Sequence, residues 1–176
     1  MTANVFNWKK MFWFCLGLAL ASGFCMKWIE DGFISNGKLF SIFCLELYLD
    51  KQGLAELFAG MKDNAKTILD YHLHFDFFFM AGVFPGTAAI CMLTRERIEK
   101  KKKMIRSVLF TIAALQLAAW GFDIYENLHL IKWMKNPATI DNVGFYHLLV
   151  RLKFIIIISG VAMAAIAFIF FRTRKK

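Results

Sequence analysis

The chain lacks most of the signatures that would assign it a chemistry. It has no glycine-rich phosphate loop, no serine nucleophile elbow and no cysteine–histidine pairing. Its four cysteines, Cys15, Cys25, Cys44 and Cys91, form no Cys-x-x-Cys pair and no metal-finger spacing, which argues against a redox function. Cys15 and Cys91 fall within apolar runs and read as small core residues. The four histidines all lie toward one end of the apolar runs. A transmembrane dihaem carrier needs facing histidines within its spans, so that class is disfavoured. Proline is scarce, at two residues in 176: Pro85 sits inside an apolar run, where a kink is expected, and Pro137 ends another.

What the chain has is apolar surface. Hydrophobic residues make up 59% of it and 20 are phenylalanine, against about 45–50% apolar in a soluble domain, which points to an integral membrane protein. The net charge of +9 comes mostly from short clusters beside the apolar runs: Lys9-Lys10, residues 95–106 and residues 172–176. Clusters so placed fix topology on the cytoplasmic side and attract anionic lipid; they do not read as a nucleic-acid surface. Three basic flanks on one side require an even number of spans.

Four spans are expected, at about 9–28, 70–94, 107–133 and 147–171. The motif Ala19-Leu20-Ala21 raises the alternative of a cleaved signal peptide for the first, which is read instead as a retained helix with small faces for close packing. Residues 29–69 are too mixed in charge to span and form a small extracytoplasmic cap between helices 1 and 2. Within it Asn36-Gly37 signals a turn, residues 39–49 read as strand-like or interfacial, and Asp50 caps a short helix running to about Met61. The fold expected is all-α: a single transmembrane domain over 1–176, an integral membrane four-helix bundle. Its setting is the bacterial inner membrane, with both termini cytoplasmic. Trp8, Trp13, Trp28 and Trp133 lie near span ends and suit aromatic belts.

Depth gathers the ionisable residues. At about 1.5 Å per residue from the nearest basic flank, Lys27, Asp76, Asp123 and Arg151 all lie about 26–31 Å along their helices, near the outer edge of a hydrocarbon core about 30 Å thick. At about 100° per residue, Gln116, Ala119, Asp123, Glu126, Asn127 and Leu130 make one stripe. His72 and Asp76 share a face, as do His147 and Arg151, while Lys153 diverges and reads as snorkelling. The expected feature is an outward-facing polar pocket built from these groups, with 29–69 as its lid.

Two classes of function follow. In the first, the pocket binds or modifies a lipid or other amphiphile. Asp76, Asp123 and Glu126 are then the candidate acids and bases, and Asn127, His147, Arg151, Lys27 and Trp120 the candidate substrate contacts, with Arg151 on an anionic headgroup. Glu126-x-x-His129 has the helical spacing of metal-binding bundles but no second copy. His72 and Asp76 are the residues available to complete a site for a divalent metal such as zinc, iron or manganese. In the second class, the chain is a non-catalytic small subunit or assembly factor of a membrane complex, or a homo-oligomer. Its polar layer is then an ion-pair network in which Lys27 and Arg151 neutralise Asp76 and Asp123.

The segment His74-Phe-Asp-Phe-Phe-Phe-Met80 followed by Asp123-Ile-Tyr-Glu-Asn127 resembles a group of small bacterial four-span membrane proteins. That group carries Asp-Phe-x-Phe in one span and Asp-x-x-Glu-Asn in the next. The resemblance covers about residues 39–130 and implies the spans and the importance of Asp76, Asp123, Glu126 and Asn127. It implies no activity.

Overall fold

The computed structural model describes residues 7–47 and 49–171. Six α-helices run through them: α1 (Trp8–Ile29), α2 (Ile42–Leu47), α3 (Lys51–Ala59), α4 (Asp63–Arg97), α5 (Lys103–Lys135) and α6 (Val143–Phe171). Between α1 and α2 lie a 3-10 turn, Glu30–Gly32, and a hairpin of β1 (Ile34–Ser35) and β2 (Lys38–Leu39). Four of the helices, α1, α4, α5 and α6, are long and apolar enough to cross a membrane. The basic flank at 172–176 lies outside the described residues.

The four long helices alternate in direction. Trp8 at the start of α1 packs in one apolar cluster with Ile98, Leu109 and Ala167, so the described chain begins and finishes at the same end. This is the loop end, where α4 passes to α5. Arg106 closes that turn by donating to the carbonyls of Arg95, at 2.6 Å, and Ile98, at 3.0 Å, while Arg95 Nε donates to the Arg106 carbonyl at 3.2 Å. A guanidinium on the last carbonyls of α4 offsets the helix dipole there and adds to the bond that the Arg95 carbonyl accepts from the Ile98 N–H at 3.4 Å.

The helices are not equally engaged. α4, α5 and α6 pack on one another, whereas α1 makes its main contacts with α4. That pairing is close because of Gly82: a Cβ there would stand 2.6 Å from the Ala19 nitrogen and 2.7 Å from the Cys15 carbonyl oxygen. Small residues thus bring the two backbones together, as the small faces of the first span suggest. α4 has 35 residues, about 52 Å of helix, and runs unbroken through Pro85.

The extra length of α4 is used by the cap. Leu69 and Leu73 of its first turns join Phe33, Leu45, Leu54 and Phe58 in one buried cluster, which also takes Trp133 of α5 and Tyr146 of α6. The hairpin turns at Asn36 and Gly37, both with positive φ, as a tight two-residue turn requires. Asp50 caps α3 by accepting from the Gly53 N–H at 2.8 Å. The described residues after Leu39 in this stretch are not a strand: β2 ends at Leu39 and α2 occupies Ile42–Leu47. Ile42 and Leu45, three apart on one face of that short helix, are both buried, so helical spacing serves the cluster better than alternation. Trp133 is not at a belt; it is fully buried, its ring 5.0 Å from that of Tyr146.

Candidate functional site

The polar stripe of α5 faces inward as expected. Gln116, Ala119, Asp123, Glu126, Asn127 and Leu130 are each no more than 5% exposed. Inward carboxyls need partners, because an unpaired buried charge is costly. The partner is Lys153. Its ammonium pairs with both Asp123 and Glu126 and lies 4.0 Å from Glu46, and all four residues are buried.

This overturns the expected assignment of cations. Arg151 is exposed and lines a shallow groove with His147, Asp50 and Lys51, outside the buried network. Lys27 is also exposed and pairs with Glu30, three residues on. The face of α6 that packs inward carries Tyr146, Val150, Lys153, Ala164 and Ala167, together with Gly160, whose Cα lies against Gln116. Lys153, Gly160, Ala164 and Ala167 recur at helical spacing, and that small-residue stripe marks the packed side. Pairing His147 with Arg151 selected the neighbouring face instead.

Glu46 was also missed as a site residue. It is the one charge in an otherwise apolar stretch, and such an isolated charge commonly marks a buried pair. α2 delivers it to a cavity wall that it shares with Asp76, Asp123 and Lys153. Burial pushes its carboxyl above the usual range; Lys153 opposes that shift and Asp123 adds to it.

Asp76 stands apart from this knot. Asn127 Nδ2 donates to its Oδ2 at 2.6 Å, and no lysine or arginine pairs with it among the described residues. One turn earlier on α4, His72 is 2% exposed, with its ring edge-on to Phe33 and its Nδ1 without a hydrogen-bond partner. Both residues line a cavity of about 150 Å³ at the cap end, together with Glu46, Asp123 and Lys153. The remaining walls are apolar, among them Phe79, Phe84 and Phe154. Met26 of α1 and Ile157 of α6 also line it and are half-buried, and Phe43 of α2 is the exposed member of its wall.

The metal set is not assembled. Among the described residues no group of three or more histidine, cysteine, aspartate and glutamate side chains is placed to hold an ion. His129 Nδ1 lies 2.8 Å from the Tyr125 carbonyl, and its ring stacks on Tyr125 at 3.9 Å, away from His72 and Asp76. Glu126 is taken by Lys153, and its Oε1 has no hydrogen-bond partner. Trp120 does not line the cavity; it packs against Met80, Phe84 and Ala119. Of the candidate residues, the cavity therefore brings together His72, Asp76 and Asp123. Asn127 stands behind Asp76, and Lys27, His129, His147 and Arg151 lie elsewhere.

Comparison with family models, curated proteins and solved structures finds no match.

Proposed function

We propose that the chain is an integral membrane protein whose cap-end cavity receives the polar end of an amphiphile entering sideways from the bilayer. On this reading it sits in a bacterial inner membrane, with the loop end cytoplasmic and the cap outside. The basic residues of the α4–α5 turn support this orientation.

The observation that carries the reading is a cavity that joins titratable side chains to apolar walls among helices long and apolar enough to cross a membrane. His72 and Asp76 line it with no lysine or arginine paired to them among the described residues, and Met26 and Ile157 of the same wall are apolar. An amphiphile satisfies both environments at once. The chemistry is divided between the carboxyls: Asp123 and Glu126 are committed to Lys153 and serve the wall, which leaves Asp76 as the group that faces a ligand. Arg151 has no part in the cavity; its groove with Lys51 suits anionic headgroups at the membrane surface.

A second reading, a small subunit of a membrane complex or a homo-oligomer, is favoured by one observation. Lys153 ties α2, α5 and α6 through three carboxyls, as a purely structural lock would. Native mass spectrometry of the detergent-purified chain separates the two. A retained amphiphile, lost when Ile157→Trp fills the cavity, supports the binding reading. A bare chain in wild type and variant alike supports the structural one.

A further inference from the structure

The amphiphile reading leaves the chemical class of the polar end open, and the cavity's own charge decides it. Glu46, Asp76, Asp123 and Glu126 share one region with a single ammonium among the described residues, that of Lys153. Lys153 is held by three of these carboxyls, and Asp76 is left with an amide. An anionic headgroup entering here would meet an excess of carboxyls in a low-dielectric space, where repulsion is strong. A cation would meet the reverse.

The other walls point the same way. His72 Nδ1, buried and unpartnered, supplies an acceptor one helical turn from Asp76 when its ring is neutral. An ammonium has several N–H groups to offer to that pair. Phe79, Phe84 and Phe154 line the same space, and aromatic faces attract cations. Lys153 already uses one of them, with its nitrogen 5.1 Å from the centre of the Phe154 ring. A cavity of about 150 Å³ takes a group about the size of benzene, which fits an amine and its first methylenes, with the chain leaving past Met26 and Ile157. A divalent ion fits less well, since one carboxylate and one imidazole are too few ligands.

We propose that the cavity binds an alkylammonium group, from a free long-chain amine or from an ethanolamine headgroup, with Asp76 as counter-ion and His72 as second acceptor. This rests on the amphiphile reading above. The test uses the full chain in non-ionic detergent, titrated with octylamine, octanol and octyl sulfate and followed by thermal melting. In parallel, native mass spectrometry is run after incubation with phosphatidylethanolamine or phosphatidylglycerol. Saturable stabilisation by octylamine, with at least tenfold weaker effects from octanol and octyl sulfate, is the expected result, and Asp76→Asn should remove the preference. Selective retention of phosphatidylethanolamine identifies the lipid as the source; stabilisation by octylamine without it identifies a free amine. Should Asp76→Asn fail to fold, Ile157→Trp, which leaves every polar group in place, must abolish the octylamine effect. Equal binding of octanol and octylamine would overturn the ammonium assignment and leave the amphiphile reading standing. Tight binding of octyl sulfate, or displacement of octylamine by zinc or manganese, would overturn the assignment in favour of an anion or a metal. No binding in any arm would overturn both readings.

Discussion

Asn127 on α5 reaches across to α4 and donates its side-chain N–H to Asp76 at 2.6 Å, with the Leu73 carbonyl at 3.5 Å from the same nitrogen. That bond fixes where the Asp76 carboxylate sits relative to the cavity. It also separates two kinds of polar residue in this protein: those that hold the helices together, and the pair His72 and Asp76 that faces open space.

Asn127→Ala should therefore act on both levels. Removing the donor leaves a largely buried carboxylate without its hydrogen bond, which costs about 1–3 kcal/mol. Thermal melting in detergent reads the loss. Any ligand that depends on a fixed Asp76 should bind more weakly as well.

Lys153 is expected to be far more sensitive. Lys153→Met removes the ammonium that pairs with Glu46, Asp123 and Glu126 and leaves buried carboxyls uncompensated, a loss of about 3–5 kcal/mol. Adding Asp123→Asn and Glu126→Gln to that variant should recover much of it, because the unpaired charge rather than the missing contact is the main cost. Arg151→Met, on the exposed groove, should leave the melting temperature unchanged. If Arg151→Met were the more damaging of the two, the assignment of cations would be reversed.

The contact between α1 and α4 depends on Gly82. Gly82→Val places methyl groups where the Ala19 nitrogen and the Cys15 carbonyl already stand, so the helices must separate, at about 1–3 kcal/mol or more. Gly17→Ala, inside α1 at a position with nothing within 4 Å, is the control and should melt no lower than the wild type, since alanine favours the helix. Accessibility of Cys15, buried in the native chain, to a thiol reagent should rise in Gly82→Val only.

A pH dependence follows from Glu46, whose carboxyl burial holds above its usual range. The native chain then binds this proton more readily than the unfolded chain, in which the group titrates near about 4.3. Stability contributed by Glu46 is therefore greatest below that value and falls as pH rises through the native value. Glu46→Gln should flatten this slope: its melting temperature relative to wild type should climb from pH 4 upward. A difference that stays constant with pH would contradict the assignment.

The long helices were legible because a span leaves a plain record: about 20 apolar residues with basic flanks. The inward stripe of α5 was legible for a related reason, since Asp123, Glu126 and Asn127 repeat at helical spacing among apolar neighbours. α6 was harder. It is apolar on every side, so polarity alone could not tell the packed face from the lipid face, and Arg151 was favoured over Lys153 although Gly160, Ala164 and Ala167 mark the Lys153 side. Glu46 was marked only by its isolation in an apolar stretch, which does not say what it pairs with. Its place depends on how the cap folds back over α4, and a short aromatic stretch such as residues 39–49 carries no period long enough to distinguish helix from strand.

The most direct test is a structure of the full chain in a lipid nanodisc containing phosphatidylethanolamine, resolved well enough to show side chains around Asp76. Ordered density that enters between Met26 and Ile157 and ends within hydrogen-bond distance of Asp76 is the expected result. A cavity closed by Phe79 and Phe154, with Asp76 turned to a protein cation, would contradict it.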